Sequence, residues 1–130
     1  MKIIQNGTTE YYKLLEQINK DLFDFVFDSI MPIPLVIDKL NRNELIIIKN
    51  DSAYVLGYAY NDGIVRTFFI FWCKGKQIQS SLFDFIVFCR DNLHCKKISL
   101  RSNSKPHNRL YTKMLCSYNL HKSYLFSIDI

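Results

Sequence analysis

A run of residues between positions 64 and 101 constrains the fold more than any other feature of this 130-residue chain. Residues 64–72 form an apolar, strand-like segment, and residues 97–101 form a second, shorter one. Between them lies an apolar stripe at helical spacing, made of Ile78, Leu82, Phe85, Ile86, Cys89 and Leu93. Since one helix joins the two strands, the strands are predicted to be parallel and their connection right-handed.

The flanking segments complete the expected order of elements. They are a strand over 1–5, a helix that begins after Thr8, strands over 44–49 and 53–60, a helix over 107–117 and a strand over 123–130. Asn61-Asp62-Gly63 is typical of a hairpin turn, and residues 35–43 fit either a short helix or an extended piece. The pattern predicts an α/β (α+β) fold with a mixed, mostly antiparallel central sheet and helices on both faces.

The composition favours a single domain over residues 1–130. Hydrophobic residues make up 48% of the chain and aromatic residues 15%, which argues against disorder. No apolar run reaches the roughly 18 residues that a membrane span needs, and the N-terminal residues turn polar too early for a signal peptide. We therefore expect a cytoplasmic protein with no membrane partner, either a monomer or a homodimer.

The cysteines do not predict a metal or redox site. The chain has four of them and three histidines, but no C-x-x-C pair and no spacing typical of metal ligands. No metal is therefore expected. Cys73 and Cys89 lie in apolar runs and are interpreted as small core residues.

A basic turn joins the strand over 64–72 to the helix that follows it. It reads Lys74-Gly75-Lys76-Gln77-Ile78-Gln79-Ser80-Ser81-Leu82. Backbone N–H groups and the helix dipole at such a junction attract a phosphate group, and Lys74 and Lys76 add positive potential. The formal net charge of +5 agrees with a phosphate-bearing ligand or another polyanion, although lysines that only solvate the domain give the same total.

Two segments of the chain resemble motifs of the GNAT acetyltransferase superfamily, and the element order is similar to that fold along nearly the whole chain. In the family a strand leads into Arg/Gln-x-x-Gly-x-Gly/Ala at the start of a long helix, which here reads Lys74-Gly75-Lys76-Gln77-Ile78-Gln79. Further along, the family has an asparagine after a short strand and then a helix with Leu-Tyr-x-Lys. Here these segments read Leu100-Arg101-Ser102-Asn103 and Leu110-Tyr111-Thr112-Lys113.

The chain departs from the family pattern at three places, one of which is the segment from Asn103 to Tyr111, which is one residue longer than typical. Gln77 and Gln79 stand where the family has small residues, which let the backbone approach a pyrophosphate closely. Leu115-Cys116 replaces a glycine–aromatic pair that follows the tyrosine helix. The pyrophosphate motif is therefore degenerate, and the glutamine amides are left as alternative phosphate donors.

The resemblance implies that acetyl-coenzyme A (acetyl-CoA) binds in a cleft between two parallel strands. Backbone N–H groups of residues 75–79 would hold the pyrophosphate, and the main chain of residues 71–73 would line the pantetheine and polarise the thioester carbonyl. The cofactor-binding residues so implied are Phe71, Trp72, Cys73, Lys74, Gly75, Lys76, Gln77, Ile78, Gln79, Ser80 and Asn103.

Tyr111 is the catalytic residue that the resemblance implies. A phenol is protonated at neutral pH and can give its proton to a thiolate as the thiolate forms. The alternative for Tyr111 is a core tyrosine on the apolar stripe of a helix. The alternative for Asn103 is a loop residue that ends a strand. No general base stands out among Glu44, Asp62 and Asp84.

The function implied by the resemblance is N-acetylation of a primary amine by direct attack on acetyl-CoA. The alternative, favoured by the two glutamines, is a catalytically inactive module that binds a protein partner or an acyl-CoA. A nucleic-acid-binding domain is disfavoured because the aromatic residues follow strand and helix periods and no RNP pattern is present.

The acceptor is not specified by the sequence. Aspartates of the N-terminal helical region could form a rim that attracts a cationic amine, or could only keep an apolar helix soluble. They are Asp21, Asp24, Asp28 and Asp38.

Overall fold

The computed structural model describes residues 1–24, 32–101, 109, 111–113, 115, 118–121 and 125–130. Its elements are β1 (Lys2–Ile3), α1 (Thr9–Asp24), α2 (Ile33–Asn41), β2 (Ile46–Lys49), β3 (Ala53–Asn61), β4 (Arg66–Gly75), α3 (Ile78–Asp91), β5 (Lys97–Arg101), β6 (Asn119–His121) and β7 (Leu125–Asp129). Residues 111–113 are also helical. In these ranges, every helix is too short or too polar to cross a membrane.

The described strands form one sheet of seven strands in the order β1-β2-β3-β4-β5-β7-β6. All neighbouring strands are antiparallel except β4 and β5, which run parallel and are joined through α3. The predicted mixed, mostly antiparallel sheet with one parallel crossover is confirmed. The crossover places the start of α3 at the carboxyl end of β4.

One face of the sheet packs against α3. Phe85, Ile86 and Cys89 of the helix are fully buried in a cluster that includes Phe68 and Ile98. The rings of Phe68 and Phe85 meet edge to face with their centroids 5.3 Å apart, a favoured aromatic geometry. Each fully buried side chain of this size contributes about 1.5–3 kcal/mol, so this cluster fixes α3 and the parallel strands together.

The opposite face of the sheet packs against α1 and α2. The buried positions of α1 follow helical spacing and contact Ile47 and Leu56 of the sheet. The backbone N–H of Tyr11 donates to the Thr8 hydroxyl at 3.2 Å, which caps α1 as the sequence predicts. Helices therefore cover both faces, as expected.

The structure decides the open alternative for residues 35–43 in favour of a helix, and two strands differ from the predicted elements. Residues 33–41 form a helix, because Pro34 lies in the first turn, where a missing N–H breaks no helical bond. The short strand β6 was not predicted, since it is three residues long and follows a segment interpreted as helix. Strand β4 starts only at Arg66, because the Asp62 carboxylate accepts the N–H groups of Ile64 and Val65 in the turn. It also runs on to Gly75, so Lys74 and Gly75 belong to the strand and not to the predicted turn, because both remain paired with β3.

Some predictions lie outside the described residues. They concern the end of the first helix at 25–31, the segment 102–108 that contains Asn103, and parts of the helix over 107–117 and the strand over 123–130. Asp28 of the acidic rim is among them.

Candidate active site

The candidate site lies at the carboxyl ends of the parallel strands β4 and β5. In the described part of the chain, β4 pairs with β5 from Thr67 to Ile70 and continues along β3 to Gly75. Ligands of sheets with parallel strands bind at such carboxyl ends.

A β-bulge shapes the same stretch of β4. Leu56 lies opposite Trp72 and Gly57 opposite Ile70, which leaves Phe71 as the extra residue. Gly57 permits this arrangement, because a Cβ at that position would lie 2.1 Å from the Phe69 carbonyl oxygen. As a result Phe71 and Trp72 both pack on the α1 side of the sheet.

The turn after β4 is held against the β2–β3 turn. A Cβ on Gly75 would lie 2.3 Å from the Ala53 Cβ, and the Lys76 N–H donates to the Ser52 carbonyl at 2.9 Å. The Asn50 side chain accepts the N–H groups of Ser52 and Ala53 and donates to the Ser81 hydroxyl at 3.2 Å. Gly75 is thus required by close strand packing, and Asn50 links the two turns to the start of α3.

Gln77 begins α3 in a left-handed conformation, with φ 31° and ψ 49°. Its carbonyl accepts the Ser81 N–H at 3.1 Å, the first bond of the helix. The backbone N–H groups of residues 78–80 lie in the first turn of α3, where the helix itself supplies no carbonyl to accept them. They lie at the positive end of the helix dipole, and Lys76 beside them is exposed and has no ion-pair partner among the described residues. This junction is suited to an anion.

The Lys74 ammonium points to the α1 face of the sheet. It lies 2.8 Å from the Asp21 Oδ1 atom, which also accepts a hydrogen bond from the Gln17 amide at 2.8 Å. The Tyr54 hydroxyl donates to Oδ2 at 2.8 Å and accepts the indole N–H of Trp72 at 3.1 Å. These five side chains form one polar network, which we call the Asp21 network.

The Asp21 network keeps its carboxylate ionised. Burial raises the pKa of Asp21, whose side chain is only 5% exposed. Hydrogen bonds from Lys74, Tyr54 and Gln17 and the charge of Lys74 outweigh burial, so the net pKa lies below its ordinary value. The pKa of Tyr54 is raised, mainly by burial, so its hydroxyl stays protonated.

Tyr111 lies beside Cys73 on the α3 side of the sheet. Its hydroxyl donates a hydrogen bond to the Cys73 thiol, and its ring packs against Phe126 with centroids 6.4 Å apart. Burial raises the pKa of Tyr111, and the neighbouring thiol raises it further. The interpretation of Cys73 as a core residue is wrong, since the residue is exposed. The protein atoms packed around its sulfur nevertheless desolvate the thiol, and this raises its pKa.

The structure brings most of the sequence-predicted site residues to one edge of the sheet. Phe71, Trp72 and Cys73 lie towards the carboxyl end of β4, and the turn and the exposed Ser80 follow them. The backbone of Ile78 and Gln79 forms the first residues of α3. Asn103 is not among the described residues.

Sequence reasoning missed Asp21, Tyr54 and Asn50. The sequence places Asp21 among aspartates that either form an acidic rim or solvate a helix, yet it lies three residues after Ile18 and is buried on the packed side of α1. That spacing was the available signal. Tyr54 and Asn50 act through partners that are distant in sequence, which periodicity does not reveal.

The fold has a similar solved structure. It is a crystal structure of a GNAT-family acetyltransferase from Listeria monocytogenes 4b F2365, with a TM-score of 0.51, 7% sequence identity and 99% of each chain covered. No protein-family model matches the chain, and no curated protein matches it at a significant level. The fold is therefore GNAT-like, while its chemistry has to be argued from its own residues.

Proposed function

We propose that this protein is an acyltransferase that moves the acetyl group of acetyl-CoA to a primary amine. The observation that carries the proposal is the carboxyl end of β4, which leads through a turn into the positive end of α3 and lies beside Tyr111. These are the elements needed to hold an acyl thioester by its phosphates and to protonate its leaving group. The GNAT-like fold supports the same activity.

The residues at this edge fit acetyl-CoA. The N–H groups of residues 78–80 and the exposed Lys76 would bind the pyrophosphate. The backbone of residues 71–73 would hold the pantetheine arm, since it lies at the carboxyl end of β4, directly ahead of the turn that leads to α3. Acetyl-CoA would supply the acetyl thioester, and its carbonyl would be polarised by a backbone N–H of β4.

Tyr111 is placed to act on the leaving sulfur. Its raised pKa keeps the phenol protonated at neutral pH, and its hydroxyl already lies beside a sulfur atom, that of Cys73. The attacking amine forms the new C–N bond, the C–S bond breaks, and the departing sulfur takes the phenolic proton. The phenolate then regains a proton from water, which receives the proton that the amine loses. Transfer of a positioned proton of this kind is worth about 10²- to 10⁴-fold in rate.

The amine loses its proton to water in this proposal. Asp62 is used by its own turn, where backbone N–H groups of Val65 and Ile64 lower its pKa. Glu44 forms an ion pair with Lys39 at 3.2 Å. Asp21 is ionised, but three donors already occupy its oxygens, which makes it a poor proton acceptor.

The activity is tested by following thioester loss in the presence of a panel of primary amines. The ultraviolet absorbance of the thioester is the appropriate signal, because a thiol-reactive dye would also label the exposed Cys73. The proposal predicts amine-dependent thioester loss that Tyr111→Phe strongly slows. Loss at the same rate without protein, for every amine, would contradict it.

The second candidate is an inactive module that binds acyl-CoA without turning it over. Its support is Gln77, which replaces a small residue at the start of α3 and takes a left-handed conformation that disfavours side chains. It predicts acetyl-CoA binding with no amine-dependent thioester loss. The same assay, paired with a binding titration, separates the two candidates.

A further inference from the structure

The Asp21 network connects helix α1 to the proposed anion site. We infer that Asp21 is a positioning residue for acetyl-CoA, which holds Lys74 on the α1 face and so fixes the end of β4 ahead of the turn. The inference rests on the proposed function, since it concerns the same turn. In this inference Lys74 binds Asp21 within the protein and is not itself a ligand of the pyrophosphate.

The geometry makes Asp21 the fixed member of the pair. Its side chain is 5% exposed, whereas that of Lys74 is 53% exposed. Both carboxylate oxygens have donors at 2.8 Å, with Gln17 and Lys74 on Oδ1 and Tyr54 on Oδ2. A carboxylate held in this way orients the lysine, because it cannot rotate without breaking charge-assisted hydrogen bonds.

The network reaches two landmarks of the candidate site. Tyr54 lies directly opposite Lys74 in the β3–β4 register, one residue before Gly75 and the turn. Its hydroxyl also accepts the indole N–H of Trp72, which adjoins the bulge at Phe71. Asp21 therefore fixes the bulge and the end of the strand through one hydroxyl and one ammonium group.

The pair also decides which lysine faces the anion. The positive charge of Lys74 lies 2.8 Å from the carboxylate of Asp21, which is almost fully buried, so the two charges neutralise each other. Lys76 is exposed, and no described carboxylate pairs with it. A phosphate at the start of α3 would thus interact with Lys76 and with backbone N–H groups, while Lys74 sets their position.

The test is a double-variant cycle with acetyl-CoA as the titrant. Asp21→Asn keeps the shape of the side chain, and Lys74→Met keeps the aliphatic length while it removes the charge. Each single variant is expected to weaken acetyl-CoA binding about 3- to 10-fold, and the double variant by the same factor rather than by the product, because both remove one interaction. Lys74→Arg, which retains the charge, is expected to bind nearly as well as the wild type.

Lys76→Met is the matched control within the turn. It is expected to weaken binding independently of Asp21→Asn and to reduce the salt dependence of the dissociation constant, as loss of a phosphate-facing charge does. The melting temperature and circular dichroism of each variant establish that it is folded.

Three results would overturn the inference. Asp21→Asn that tightens binding would mean that the freed Lys74 is itself a phosphate ligand. Single variants that only lower the melting temperature would mean that the pair has a structural role alone. The third result is wild-type protein that binds no acetyl-CoA. It would contradict the proposed function itself, whereas the first two results would contradict only the role of the Asp21–Lys74 pair.

Discussion

Gly57 is the residue on which the shape of β4 depends most sharply. A Cβ at this position would lie 2.1 Å from the Phe69 carbonyl oxygen and 2.5 Å from the Phe68 ring. Cβ atoms essentially never come closer than 3.0 Å to such atoms, so the two strands must separate by about 0.9 Å in Gly57→Ala. The carbonyl belongs to the backbone of the neighbouring strand and cannot be relieved by a change of rotamer.

The expected cost follows from these contacts. Overpacking of a buried site costs about 1–3 kcal/mol, and each weakened ladder hydrogen bond adds about 1 kcal/mol. Gly57→Ala is therefore expected to lower the free energy of unfolding by about 3 kcal/mol, which corresponds to about 10 °C in melting temperature for a domain of this size.

Urea unfolding measures this cost, followed both by circular dichroism and by the fluorescence of Trp72, the one tryptophan of the chain. Gly7→Ala is the control, because Gly7 has φ 87° and nothing within 4 Å of the added Cβ. Its expected cost is about 1 kcal/mol of backbone strain. A Gly57→Ala variant no less stable than Gly7→Ala would refute the account of the bulge.

Three further predictions concern the site and its surroundings. Tyr111→Phe should lower kcat at least about 10-fold while it leaves the affinity for acetyl-CoA unchanged, and an unchanged kcat would remove the phenol from the mechanism. Gln77→Gly should raise the free energy of unfolding by about 0.5–1 kcal/mol by relieving the left-handed conformation, without weakening acetyl-CoA binding in calorimetry. Since the folded pKa of Asp21 is lowered, its contribution to stability is complete above the ordinary value of 3.8 and is lost as the pH falls through the folded pKa. Asp21→Asn should therefore flatten the acid limb of a stability–pH curve, and identical limbs in the two proteins would contradict the network.

The strand order around the crossover could be predicted from sequence because its signals are local. The apolar stripe of α3 and the alternating strand at 97–101 each have a period that a single element explains. The turn residue Asp62 also acts on backbone groups two and three residues away. Local hydrogen bonding of this kind leaves a readable pattern.

The interior of the candidate site could not be predicted in the same way. The partners of Asp21 include Tyr54 and Lys74, which are 33 and 53 residues away along the chain. Their meeting depends on the register of β3 against β4 and on the angle at which α1 crosses the sheet. The bulge at Phe71 is equally non-local, since Gly57 permits it from the neighbouring strand.

Calorimetric titration of the wild-type protein with acetyl-CoA at moderate salt tests the central claim most directly. The account predicts a saturable heat with a dissociation constant on the order of micromolar, which Lys76→Met weakens. Absence of binding up to about millimolar acetyl-CoA would contradict it, and would mean that the start of α3 does not hold a pyrophosphate.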